Sequence, residues 1–281
     1  ELILVNQQHP YRASEKAGLV TVQRNGSVLL NRRAAVSLFR LVGEINGWNE
    51  ITAVSGWRSM AEQQEIWDKS IIDSGIEFTE KYVAVPGHSE HQTGLAVDLG
   101  KMAENIDFIR PDFPYSGICQ TFRQRMARFG FIERYPEGKE KITGIAHEPW
   151  HFRYVGTPHA QIMTERGLTL EEYHEFLRSC PWGERPLILE SDEKGFSSKS
   201  NKTFKNMRHI ERNPFDQAAL NDRSVGRKKY EISWLGAEMK TDKEFVKIWN
   251  KMKRDPDVSC KISGSNVDGF IITVGRSLPQ F

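Results

Sequence analysis

HSEHQTGLAVD, residues 88–98, and EPWH, residues 148–151, are the two stretches on which the reading of this chain turns. The first has the form SxHxxGxAxD and supplies an imidazole at His91 and a carboxylate at Asp98; the second places Glu148 three residues before another imidazole, His151. Two nitrogens and one oxygen suit a borderline-soft dication, and three protein ligands leave a fourth tetrahedral position open. The pattern therefore predicts one catalytic zinc ion held by His91, Asp98 and His151. Glu148 is the expected base, taking a proton from water whose pKa the ion lowers. A lone histidine or aspartate is ordinarily a hydrogen-bonded structural residue. What outweighs that reading here is the joint pattern of fixed positions with an ExxH downstream.

His91 and Asp98 are seven residues apart, so an unbroken strand would point them to opposite faces and a turn must intervene. Gly94 can supply it, because glycine reaches backbone conformations closed to other residues. Beyond it LAVDL alternates, with Leu95, Val97 and Leu99 on one face and Ala96 and Asp98 on the other; Ala96 keeps the metal side uncrowded.

Read literally, His147, Glu148 and His151 also spell HExxH, a helical zinc motif. That motif needs a continuous helix, and Pro149 disfavours helical geometry at Glu148 before it. WHFRYV, 150–155, alternates instead: Trp150, Phe152 and Tyr154 face a core while His151 and Arg153 face the other way, as on a half-buried strand. His147 is then a bystander or a supporting residue. His88, His159 and His174 have no partner pattern and read as structural.

Outward from these stretches, ITAVS (51–55) is a β-branched strand, and Ser59 with Glu62 forms a capping box opening a helix through about Ser74. Arg58 sits at that strand-to-helix junction, where a fixed guanidinium can bind a carboxylate or an oxyanion in bidentate fashion; Gln63 lies on the helix's first turn. LILV (2–5) and LVTV (19–22) read as short strands. Apolar residues between Arg33 and Ile45 keep helical spacing, and residues 75–90 read as a connection. Residues 100–117 read as an excursion over the surface, a rim of the active site. FRQRMARFGF (122–131) is a helix stopped by Gly130, and residues 157–167 and 169–179 are two short helices, the second opened by Thr169 with Glu172. PLILES (186–191) is a closing strand.

With 281 residues and 38% hydrophobic content the chain can bury a sizeable core. No run approaches a membrane span and no secretory signal pattern is present; the chain begins at Glu1 rather than methionine, which leaves room for an upstream anchor or signal. Three cysteines are too few for a disulfide framework and favour a reducing compartment. Residues 1–190 hold 21 Lys+Arg against 25 Asp+Glu, and residues 191–281 hold 18 against 12. That shift suggests a catalytic domain over 1–190, a polar basic linker or insertion over 191–229, and a small β-rich appendage over 230–281 ending in a hairpin. No nucleic-acid motif accompanies the basic excess.

SGWRS (55–59), PGHSEHQTGLAVDLG (86–100) and EPWHFRYVG (148–156) resemble the zinc D-alanyl-D-alanine peptidases of glycopeptide resistance, most of all the bifunctional VanXY-type D,D-dipeptidase/D,D-carboxypeptidases, with VanY and VanX types as relatives. The resemblance covers about residues 1–190. It implies an α+β fold in which a small antiparallel sheet flanked by helices carries the metal, as in the hedgehog signalling domain. It also implies that His91, Asp98 and His151 are the zinc ligands, Glu148 the base, Arg58 the stabiliser of a developing oxyanion, and Ser89 and Gln63 substrate neighbours. The implied substrates are free D-Ala-D-Ala and peptidoglycan precursors ending in it, whose removal underlies vancomycin resistance, and the implied compartment is the cytoplasm, or the cell envelope were an anchor present. Rival readings are an L,D-carboxypeptidase or endopeptidase of cell-wall turnover, and a zinc-bearing binding module, against which the presence of Glu148 argues.

Overall fold

A computed structural model describes residues 1–12, 18–22, 28–192, 195–197, 228–236, 243–255, 258–264 and 269–277. Contacts group the chain into one unit of Glu1 with Ile3–Glu172 and a second of Leu2 with Tyr173–Phe281. In chain order the elements are β1 (Leu19–Thr21), β2 (Leu29–Asn31), α1 (Arg32–Glu44), β3 (Ile51–Ser55), α2 (Met60–Ser74), α3 (Ile76–Tyr82), β4 (Ala96–Lys101), α4 (Gly117–Met126), β5 (Phe131–Tyr135), α5 (Glu140–Thr143), β6 (Glu148–Tyr154), α6 (His159–Arg166), α7 (Leu170–Arg178), β7 (Leu187–Asp192), β8 (Gly195–Ser197), β9 (Lys228–Gly236), α8 (Lys243–Met252), β10 (Val258–Gly264) and β11 (Gly269–Ser277). The class is α+β, as expected.

The first unit is built on a four-stranded antiparallel sheet in the order β3-β4-β6-β5. Its core face carries Val97, Leu99, Phe152 and Tyr154, packed in one cluster with the apolar stripe of α1 (Ala34, Ala35, Leu38, Leu41, Val42) and with Phe122 and Met126 of α4. Each leucine so buried contributes about 1.5–3 kcal/mol. Phe113, Phe122 and Phe152 meet edge to face, with ring centroids 4.9–5.6 Å apart. Both predicted capping boxes form: the Ser59 hydroxyl accepts from Glu62 N at 3.1 Å while Glu62 accepts from Ser59 N at 2.7 Å, and Thr169 and Glu172 repeat the exchange.

Three local expectations give way. LILV is not a strand; Leu2, Leu4 and Val5 are buried in irregular chain. Residues 75–90 contain α3, whose two turns are too few to show a period. The helix expected over 122–131 begins at Gly117 and ends at Met126, followed by a single 3-10 turn before Gly130, which adopts a left-handed φ of 83°.

In the second unit β10, β11, β9, β7 and β8 form an antiparallel sheet in that order, with β10 and β11 the expected hairpin. Phe245 of α8 packs on Leu235, Ile272 and Val274. Of the stretch read as a linker or insertion, residues 193–194 and 198–227 lie outside the described residues.

Candidate metal centre and active site

The β4–β6 register sets Asp98 directly opposite His151 and Ala96 opposite Arg153. Across β5 and β6, Glu133 faces Phe152 and Tyr135 faces Glu148, so two steps along β5 match four along β6. This irregularity around Pro149 brings Glu148 to the side of His151, although strict alternation would place it with Trp150. Glu148 lies on a strand, so the helical HExxH geometry is absent.

His91 arrives from a 3-10 turn, Glu90–Thr93, that Gly94 closes with φ 67°. A side chain at Gly94 would come within 2.8 Å of the mobile tip of Leu19 and 3.1 Å of the Asn31 backbone nitrogen, so it is chiefly the conformation that calls for glycine there. The ring's Nδ1–H donates to the Gly56 carbonyl at 2.7 Å, which leaves the Nε2 lone pair facing inward. Nε2 stands 3.1 Å from Asp98 Oδ2, and His151 Nδ1 stands 3.0 Å from Asp98 Oδ1. The two imidazoles meet edge to face at 5.0 Å.

Donor atoms of His91, Asp98 and His151 all lie within 4.8 Å of one another, and all three residues are buried. Asp98 Oδ1 makes no well-directed hydrogen bond among the described residues despite its closeness to His151. The lone pairs already converge on positive charge, since Arg58 Nη2 donates to both His91 Nε2 and Asp98 Oδ2 at 3.0 Å. Burial, reinforced by Arg58, pushes the His91 imidazole down to about 4. Burial would raise Asp98, but the two histidines hold it well below the usual carboxylate range. Burial likewise would lower His151, yet the carboxylates of Asp98, Glu90 and Glu148 around it draw it up to about 9. A cluster that pulls a proton onto one of its donors is one that a dication satisfies by displacing that proton. The nitrogen and oxygen donor set fits zinc.

Glu148 Oε2 lies 3.6 Å from His151 Nδ1. Burial, with Asp98 and Glu90 nearby, pushes its carboxyl up to about 8 against the opposing pull of His151 and Arg58. Arg58 is held from three sides: Nε donates to Ser55 Oγ at 2.9 Å, Nη1 to Gln63 Oε1 at 3.1 Å and Nη2 to Asp98 Oδ2 at 3.0 Å. Gln63 is itself fixed by donation to the Ala84 carbonyl at 2.8 Å.

The structure thus brings together His91, Asp98, His151, Glu148, Arg58 and Gln63, and Ser89 lines the same pocket. It keeps His147 apart, hydrogen-bonded at 2.7 Å to Tyr115, which also binds Glu133. His88 donates to the Asn6 carbonyl at 2.8 Å. Sequence reasoning missed Tyr135, whose ring sits 4.8 Å from that of His151, and Glu90, buried beside His91. The available signals were slight: the terminal position of Tyr135 on a strand, and a charged residue adjoining a ligand.

The family model for VanY, D-alanyl-D-alanine carboxypeptidase, matches residues 28–157. A bifunctional D-Ala-D-Ala dipeptidase and D-Ala-D-Ala carboxypeptidase, VanXYC of Enterococcus gallinarum, is 42% identical over 179 residues, covering 63% of this chain and 94% of the relative. The vancomycin resistance D,D-dipeptidase VanXYg, solved with a D-Ala-D-Ala phosphinate analog, matches with a TM-score of 0.77 at 38% identity, covering 98% of this chain and 93% of that one. A VanY D,D-pentapeptidase from a VanB-type cassette, solved with Zn(II), matches with a TM-score of 0.53 at 36% identity over 62% of this chain and 98% of its own. The matched region contains every residue of the buried cluster, and the chain belongs to the VanY family of D-alanyl-D-alanine carboxypeptidases.

Proposed function

We propose that this chain is a zinc peptidase that cleaves the D-Ala-D-Ala amide, as free dipeptide, as the terminus of a peptidoglycan precursor, or both, and so removes vancomycin-susceptible precursors. The observation that carries the reading is the convergence of His91, Asp98 and His151 with Glu148 at 3.6 Å from His151. His91, Asp98 and His151 are the proposed ligands of the ion. When bound, zinc supplies Lewis acidity, lowering the pKa of water and polarising a carbonyl.

Glu148 takes the proton from the attacking water as its oxygen bonds to the amide carbon. It returns that proton to the nitrogen as the C–N bond breaks, releasing D-alanine. Arg58, fixed by Ser55 and Gln63, donates to the oxyanion that develops on the carbonyl oxygen. Ser89 and Gln63 line the pocket and are assigned to substrate contact. The cationic character of the ion and Arg58 suits a substrate ending in a free carboxylate.

Residues 1–190 are proposed to carry the chemistry, 191–229 to connect, and 230–281 to form an appendage. The site of action is proposed to be the cytoplasm; no helix among the described residues is long and apolar enough to cross a membrane.

The test is hydrolysis of free D-Ala-D-Ala and of the precursor pentapeptide, assayed separately, with D-Ala-D-Ser and D-Ala-D-lactate termini as controls. Release of D-alanine from at least one of the first two, abolished by chelation and restored by zinc, is expected. Zinc-dependent cleavage confined to L,D bonds would overturn the assignment.

A further inference from the structure

Behind the metal cluster lie four ionisable side chains that no step above uses: Glu90, Arg134, Arg153 and Glu171. Glu90 Oε1 accepts from Arg134 Nε at 2.8 Å and from Arg153 Nη1 at 2.6 Å, with all three side chains 0% exposed. Arg134 also forks onto Glu171 through Nη1 and Nη2 at 2.9 and 2.6 Å. Arg153 reaches the opposite way, donating through Nη2 to the carbonyls of Glu1 and Ile3 at 3.0 and 2.8 Å. One oxygen of Glu90 is therefore clamped between two guanidiniums.

Its other oxygen is not. Among the described residues, Glu90 Oε2 and His151 Nε2 are both buried without a hydrogen-bond partner, and they face each other at 3.7 Å. An imidazole that gives one nitrogen to a metal carries its proton on the other, and that proton needs an acceptor. His91 already has one in the Gly56 carbonyl. For His151, Glu90 Oε2 would need to approach by about 0.8 Å to reach ordinary hydrogen-bond length.

We infer that Glu90 is a positioning residue for His151, receiving the Nε2–H of the imidazole and thereby turning Nδ1 toward His91 and Asp98. The two arginines fix the direction of this carboxylate: Arg134 from β5, and Arg153 from β6, two residues beyond His151 on the same strand. The residue preceding one ligand in sequence thus orients the other. This rests on the zinc reading above. The competing account is that the four side chains are only a charge-balanced piece of core.

The test has two parts. In wild-type protein loaded with zinc and labelled with ¹⁵N-histidine, His151 is expected as the Nε2–H tautomer, its ring proton shifted downfield and slow to exchange. By chelator competition, Glu90→Gln is expected to raise the zinc Kd about 10–100-fold while the metal-free protein keeps its circular dichroism spectrum. Val42→Ala, a truncation in the α1 core, is expected to lower the melting temperature and leave zinc Kd unchanged. The inference is overturned, with the zinc site intact, if Glu90→Gln binds zinc as wild type does, or if Val42→Ala weakens zinc equally. Should Glu90→Gln not fold, the wild-type spectrum decides: protonation of His151 on Nδ1 ends the proposal. Failure of the wild type to bind zinc at all would remove the underlying reading as well.

Discussion

Asp98 and His151 are direct cross-strand partners on β4 and β6, and their side chains close to 3.0 Å between Oδ1 and Nδ1. Two side chains separated by 53 positions in the chain are thereby fixed by one backbone ladder, and His91, the third member of the cluster, is supplied by a tight turn seven residues upstream of Asp98. A one-residue slip would send either partner to the opposite face.

Because metal affinity depends on that convergence, zinc is expected to raise the melting temperature of the purified protein. A concentration a hundredfold above Kd adds about 2.7 kcal/mol. His91→Ala and His151→Ala should lose the shift in differential scanning fluorimetry. An equal shift in either variant would place the ion elsewhere.

Glu148→Ala should retain zinc and lose roughly 10²–10⁴-fold in kcat. Zinc content by mass spectrometry, beside turnover of D-Ala-D-Ala, checks both halves. Wild-type turnover in this variant would mean that the base has been misassigned.

Arg58→Lys keeps a positive charge but cannot reproduce the fork that spans Ser55, Gln63 and Asp98. A loss of about 10²–10³-fold is expected in kcat, with zinc affinity close to wild type. A change confined to KM would show that the guanidinium holds the substrate equally before and at the transition state.

Gly94→Ala places a side chain at φ 67° and within 2.8 Å of Leu19 Cδ2. The expected destabilisation is about 1–3 kcal/mol, read from urea unfolding, together with weaker zinc binding because His91 rides on that turn. Unchanged stability would mean that the turn relaxes without strain.

Glu171 should make the fold acid-sensitive. Burial alone would raise its carboxyl, but the Arg134 charge and hydrogen bonds from Arg134 and Asn6 outweigh it and hold the pKa below the ordinary value. A carboxyl depressed on folding contributes stability that is present above its unfolded pKa and is lost as pH falls through the folded one. Urea titrations from neutral pH into the acid range should show that loss, and Glu171→Gln should flatten it. Parallel profiles for variant and wild type would rule the residue out.

Much of the site was legible because its chemistry and its geometry share a pattern. Pro149 excluded the helical motif, alternation placed His151 away from Trp150 and Phe152, and the need for a turn between His91 and Asp98 pointed to Gly94. What escaped were features created only by packing. Leu2, Leu4 and Val5 read as a strand because burial, not pairing, demands their apolar character. Glu90, Arg134 and Arg153 look like surface residues in sequence, since charged side chains are buried only when something distant pairs with them; their partners lie far along the chain. The irregular step in β6 was equally hidden, because alternation alone assigns Glu148 to the wrong face.

That step also places two buried side chains of the site on one element. Glu148 and His151 are borne on a single strand, three positions apart, so their spacing is set once the sheet has formed. The facing wall is of another kind, with Phe108 and Ile109 of the irregular stretch between β4 and α4 bordering the cleft. One side of the cleft is therefore held by strand pairing and the other by irregular chain.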